Sequence, residues 1–203
     1  MKIALFGATG GTGRQVLEQG LANGHEIRAL ARSPDKLEPA PGLEVIAGDV
    51  LDQTAVDTCL TGTEAAICVL GSHGSAQPVE AEGTKRIIAG MQRLDIQRLI
   101  AVTSMGVGDS RDQVPGFFRV LMQLTLKKVM AAKEEQEQLI RDSGLAWTIV
   151  RPGGLTDGPA TGDYRSGVDK SIQATRVARA DVADFVLQQL LDERYLRQAP
   201  AVS

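Results

Sequence analysis

The stretch Gly7-Ala8-Thr9-Gly10-Gly11-Thr12-Gly13 follows an unbroken apolar run, Ile3-Ala4-Leu5-Phe6, and opens a helical pattern over 12–23. Glycines spaced G-x-x-G-x-x-G in that setting leave few folds available. Gly7 permits a tight turn, Gly10 lets a pyrophosphate reach the backbone, and Gly13 lets the helix settle close on the strand. The helix N-terminus then offers free N–H groups and a partial positive charge to phosphate. A bare glycine triplet is weak evidence, but the strand–loop–helix context makes it a dinucleotide-binding loop. Thr9, Gly11 and Thr12 belong to the same phosphate-binding turn.

The rest of the chain repeats the alternation. Strands are expected at Glu26–Ala31, Leu43–Ala47, Ala65–Leu70, Arg98–Val102 and Trp147–Val150, with helices over 53–61, 79–94, 117–142 (with a break) and 181–193. Continuous apolar strands separated by helices predict a mostly parallel sheet covered on both faces, a doubly wound α/β Rossmann domain. The chain's 203 residues suit one such domain, 1–203. Two segments resist the pattern, 103–116 and 151–180; both follow expected strands, on the side where open α/β sheets bind ligands.

Composition narrows the chemistry. The net charge of −3 speaks against a broad basic surface for nucleic acid. Seven aromatic residues rule out a site built mainly on ring stacking, and two histidines leave little for metal or acid–base work, so no metal is expected. No apolar run is long enough for a signal peptide or for the ~18 residues of a membrane span. Cys59 and Cys68 lack C-x-x-C spacing and read as buried reduced thiols. A cytosolic protein without membrane contact is the expectation.

The second strand bears on the choice of dinucleotide. An NAD site carries an acid near its end, on the ribose 2′-OH. Here Arg32 stands nineteen positions after Gly13, where that acid would be. A guanidinium there grips a 2′-phosphate in bidentate fashion, so NADPH is favoured. Ser33 and Lys36 are candidates for further contacts, Lys36 equally for a solvated surface charge, and Arg14 is within reach of the same region. After the third strand, Asp49 and Val50 suit the adenine, although an aspartate here also suits a helix N-cap, a role that fits Asp52 better. Leu70, Gly71 and Ser72 are expected along the cofactor's ribose and nicotinamide side.

These residues, together with Thr103-Ser104, Ser143-Gly144-Leu145, Arg151-Pro152-Gly153 and Arg179-Ala180-Asp181-Val182-Ala183, resemble the atypical short-chain dehydrogenase/reductases from residue 2 to about 191. Within that group the stretch Pro159-Ala160-Thr161-Gly162-Asp163-Tyr164 is most similar to the biliverdin-IXβ and flavin reductases. The resemblance implies NADPH-dependent hydride transfer to flavins (FMN, FAD, riboflavin), linear tetrapyrroles or related conjugated small molecules by a small, usually monomeric protein. It also admits cofactor-binding regulators without turnover, such as a redox sensor or assembly factor. A nucleotide-sugar epimerase or dehydratase is more remote, because the chain is short for one and lacks the tyrosine.

The departures are informative. Tyr-x-x-x-Lys, the pair typical of short-chain dehydrogenases, is absent: Tyr164 is followed four residues on by Val168, Tyr195 by Ala199, and Lys133 is preceded at that distance by Val129. The positions matching the histidines of the biliverdin-IXβ branch hold Lys133 and Gly154, while His25 and His73 read as surface residues. A site that positions nicotinamide against a conjugated acceptor needs no dedicated side-chain acid. Ser104 is the best candidate for a hydrogen bond at the reacting centre, with Thr103 beside it more structural. Lys133 suits the cofactor ribose or an acceptor carboxylate, or equally a solvated charge; Pro152, Gly153 and Gly154 suit a close approach to the nicotinamide. The nearly all-apolar run 117–130 reads as core, pocket wall or partner surface.

Overall fold

A computed structural model describes residues 1–72, 78–116 and 127–203. Its sheet is assembled from β1 (Lys2–Phe6), β2 (Glu26–Ala31), β3 (Leu43–Ala47), β4 (Ala65–Cys68), β5 (Arg98–Val102) and β6 (Ala146–Pro152), joined by α1 (Gly11–Ala22), α2 (Gln53–Leu60), α3 (Glu80–Arg93) and α4 (Lys127–Asp142). Beyond them come β7 (Gly154–Thr156), β8 (Ser166–Gly167), β9 (Arg176–Ala178), α5 (Arg179–Gln188) and β10 (Ala201–Val202). The order across the main sheet is β3-β2-β1-β4-β5-β6-β10-β8. Every pairing in it is parallel except the last, where β8 runs antiparallel to β10. The doubly wound, mostly parallel Rossmann domain expected from the alternation is therefore the observed fold.

Period-2 alternation within the strands divides the core. Ile3 and Leu5 of β1 join α1 and α5 on one face through Val16, Val182 and Val186. Ala4 and Phe6 join α2, α3 and α4 on the other through Leu60, Met91 and Ile140. Strands buried on both faces read as continuous apolar runs for this reason. Asp52 is the N-cap of α2, its carboxylate accepting from the Thr54 N–H at 2.9 Å, as expected.

Several boundaries differ from expectation. β4 stops at Cys68 instead of Leu70, because Val69 and Leu70 turn into the cleft above the sheet. β6 runs to Pro152, supported by β10, and the last helix is Arg179–Gln188 in place of 181–193. The segment 151–180 contains the small β7–β9 pair, which three-residue strands without marked alternation do not announce. Residues 117–126 of the apolar run, and His73, lie outside the described residues. Cys59 and Cys68 are both buried and free, as read from the sequence, and burial pushes the Cys59 thiol up to about 12.

One ion pair ties α4 to β6. Arg151 donates to Glu137 through Nε at 2.9 Å and Nη2 at 2.5 Å, and both side chains are 4% exposed. Arg151 also lies 2.7 Å from Asp109, so removing Glu137 leaves its buried charge with one carboxylate and strips the charged hydrogen bonds to Glu137. Glu137→Ala is expected to lower stability by about 1.5–3 kcal/mol, read as a fall in urea midpoint with an unchanged slope.

Candidate active site

Where the chain reverses its winding, between β1 and β4, the strand ends splay and leave a crevice. Gly7 closes β1 with φ +95°, and a Cβ there would stand 2.3 Å from the Val69 carbonyl oxygen. At Gly13 a Cβ would stand 2.0 Å from the Gly7 carbonyl oxygen. These two approaches bring the start of α1 down onto the ends of β1 and β4. Gly10 is its N-cap with no side-chain cap, and no acidic residue occupies the first turn, so the terminal N–H groups are left for an anionic ligand.

The crevice above has two continuous parts. The first, about 390 Å³, is lined by Gly7, Thr9, Gly10, Gly11, Arg32, Asp49, Val50, Leu70 and Gly71 among others. The second, about 350 Å³, shares the glycine loop and takes in Thr12, Gly13, Ser72, Thr103, Ser104, Lys133, Pro152 and Gly153. Gly154 lies in a third, adjoining chamber of about 570 Å³. The structure thus gathers residues from six strand ends that are far apart in sequence. Arg32 is exposed at the crevice wall beside Asp49, and among the described residues no salt bridge takes up its guanidinium. Ser33 and Lys36 are not among the residues lining the crevice: β2 ends at Ala31, and a short 3-10 turn over Pro34–Lys36 carries the chain away. Arg14 bridges the two segments, donating to the Thr9 carbonyl at 3.3 Å and the Lys36 carbonyl at 3.1 Å.

Polar groups deeper in the crevice are mutually held. The Thr103 hydroxyl donates to Glu137 at 2.8 Å, which commits it to the fold, while the half-buried Lys133 ammonium donates to the Thr103 carbonyl at 3.4 Å. Burial holds Lys133 below the usual lysine range, against the opposing pull of Glu80. Ser104 is half-buried and its hydroxyl donates to the Met105 carbonyl at 3.0 Å, a bond it can exchange for a ligand by rotation. Tyr164 points elsewhere: its hydroxyl donates to Asp184 at 2.9 Å and its ring packs edge-on against Phe185. Burial and that aspartate push the phenol above its ordinary range.

Two residues hold the site in ways the sequence reading does not foresee. Glu80, fully buried at the start of α3, accepts from the Ser72 N–H at 2.9 Å and from its hydroxyl, fixing the turn after β4. Arg179 lies across Gly11 and is held by Asp157 at 2.7 Å, so α5 reaches the phosphate loop. Glu80 carries no local motif; Arg179 opens the Arg179–Ala183 stretch, but its contact, Gly11, lies 168 residues away.

An uncapped helix terminus, a loop whose two tight glycines admit no side chain, an exposed arginine after β2 and an aspartate after β3 fit a dinucleotide in extended form. The fold and this crevice define an NAD(P)-binding Rossmann protein. A family model described as NAD(P)H-binding matches residues 7–193, and the chain belongs to that family. Among curated relatives, it is 29% identical to an uncharacterized sugar epimerase of Bacillus subtilis, across 96% of this chain and 89% of the relative. It is 31% identical to the (4-alkanoyl-5-oxo-2,5-dihydrofuran-3-yl)methyl phosphate reductase of Streptomyces griseus, across 74% of this chain and 46% of that enzyme. Among solved structures, ChuY, an anaerobillin reductase from Escherichia coli O157:H7, superposes with a TM-score of 0.82 at 28% identity, covering 100% of this chain and 96% of that one.

Gly13→Ala tests the geometry. Its methyl group must displace the Gly7 turn, so NAD(P)H affinity is expected to fall by about tenfold or more in a fluorescence titration, with far-ultraviolet dichroism unchanged.

Proposed function

We propose that this protein is an NADPH-dependent reductase that transfers hydride to flavins or to biliverdin-like linear tetrapyrroles. The observation that carries the reading is the continuity of the crevice. At Ser104, Pro152 and Gly153 the cofactor channel opens into the chamber of about 570 Å³ walled by Met105, Val114, Pro115 and Ala174, with Arg176 exposed at its edge. A mostly apolar chamber with few polar groups suits a flat conjugated molecule, and Arg176 suits an acidic substituent on it.

NADPH, when bound, supplies the hydride. The chain's part is placement. Arg32 takes the 2′-phosphate, the first turn of α1 the diphosphate, and Asp49 with Val50 the adenine. Lys133 and the Ser72 turn hold the nicotinamide ribose. Gly153 and Gly154 line the channel with backbone; contrary to the expectation of a close approach to nicotinamide, the space a Cβ would take faces the Thr175 carbonyl oxygen, at 2.5 Å from Gly153 and 3.4 Å from Gly154. Ser104 donates a hydrogen bond to a heteroatom of the acceptor, where negative charge gathers as hydride arrives. The balancing proton comes from solvent, because the conjugated acceptor spreads its charge and no phenol faces the crevice among the described residues. The similarity to two reductases, ChuY and the Streptomyces griseus enzyme, supports this chemistry.

The test is NADPH oxidation with FMN, FAD, riboflavin and biliverdin isomers. Turnover with at least one is expected. Ser104→Ala is expected to lower kcat by about tenfold while the KM for NADPH stays within about twofold, the loss of one hydrogen bond made mainly in the transition state. Tight NADPH binding without turnover on any acceptor would overturn the reading in favour of a binding-only redox sensor. Arg32→Ala is expected to raise the KM for NADPH by about ten- to hundredfold and leave that for NADH nearly unchanged, as for one lost charge-assisted contact.

A further inference from the structure

A separate cleft of about 410 Å³ lies on the β10 side of the sheet, between the end of α4, the loop after β8 and the turn before β10. It shares no lining residue with the cofactor crevice or the acceptor chamber. Four cationic side chains line it: Arg141, Arg151, Lys170 and Arg197. Arg141 and Arg151 converge on the same two carboxylates. Arg151 lies 2.7 Å from Asp109 and 2.5 Å from Glu137; Arg141 lies 3.8 Å and 3.6 Å from them. Arg141 is further fixed by the Trp147 ring, whose centroid is 5.3 Å from its guanidinium carbon.

These two pairs are internally balanced. Lys170 and Arg197 are not: both are exposed, and among the described residues neither enters a salt bridge. The neighbouring Asp169 is outside the lining, and its carboxylate accepts from the Ser171 N–H at 2.8 Å. Arg197 is also one of two non-glycine residues in the left-handed backbone region among those described, with φ +56°. Its N–H donates to the Trp147 carbonyl at 2.7 Å and its guanidinium to the Gly144 carbonyl at 3.3 Å, so the strained turn is pinned with its charge at the cleft. Strain of this sort costs about 1–3 kcal/mol and concentrates at ligand-clamping positions.

We propose that this cleft is a second ligand site, for a small organic or inorganic dianion carrying two carboxylates or a phosphate. Two positive charges are left over after the internal pairs, and two negative charges on closely spaced oxygens match them. Arg141 and Arg151 line the floor with Asp109, whose exposed carboxylate is held by Arg151 at 2.7 Å, and Lys170 and Arg197 close on the anion from the rim.

The experiment is calorimetric titration of the full chain saturated with NADP, so that the phosphate loop is already taken. Succinate and inorganic phosphate are the two probes and acetate the control. Binding of at least one dianion is expected, at least tenfold tighter than acetate and weakened by added salt. Which of the two binds distinguishes a carboxylate from a phosphate ligand. The double variant Lys170→Glu, Arg197→Asn is expected to weaken that binding by at least tenfold. It changes only exposed side chains, and asparagine tolerates the left-handed backbone. NADP affinity in the variant should match the parent, which certifies the fold. Dianion binding that the variant retains, acetate binding equal to the dianions, or binding of neither dianion at about 10 mM would each overturn the proposal.

Discussion

The rest of this structure depends on an absence of side chains. With hydrogen alone at Gly7 and Gly13, the first helix can rest against the carbonyl oxygens at the ends of β1 and β4. Any larger residue at Gly13 would lift that helix, and with it the row of N–H groups that faces the crevice. At the first turn of the helix the distance to the strand is therefore set by backbone contact, while side chains such as Val16 pack the turns beyond. Arg179 adds a second restraint by crossing Gly11, so that the last helix steadies the first loop.

Behind the crevice, charge organises what the glycines leave open. Glu137 is the hinge of a buried network: one oxygen takes Thr103 and the Nε of Arg151, while the other takes the Nη2 of Arg151 and lies within 3.6 Å of Arg141. Thr103 in turn presents its carbonyl to Lys133. A single carboxylate thus joins the floor of the dianion cleft to the wall of the cofactor crevice. Glu80 performs a parallel service for the Ser72 turn. In both cases a buried acid takes up the hydroxyl and fixes the backbone of a residue that lines the crevice.

How much of this was legible in the sequence follows from the range of each signal. The glycine loop, Arg32 and Asp49 sit at fixed offsets from strands that announce themselves by apolar runs, and each lines the crevice. Lys133 and Ser104 were placed by the same logic, one helix and one strand end at a time. Ser33 and Lys36 adjoin Arg32 in sequence but do not line the crevice; the chain there enters a short turn over Pro34–Lys36, tied to the glycine loop through Arg14. Glu80, the reach of Arg179 to Gly11 and the pairing of Glu137 with Arg151 are invisible in the sequence because they lie wholly in tertiary contacts. The β7–β9 pair and β10 were missed for a different reason: strands of two or three residues carry no periodicity to read.

The strand order has a consequence for how such a chain comes off the ribosome. Of this sheet's strands β1 is made first, yet it lies in the interior of the sheet, with β2 on one edge and β4 on the other. Its β2 edge can be satisfied once residue 31 is made, but its β4 edge must wait for residues 65–68. Throughout that interval the nascent chain holds an apolar strand with one row of backbone groups unpaired, the configuration most prone to pair with a neighbouring chain. The brevity of β1, five residues, limits how much edge is on offer during that wait.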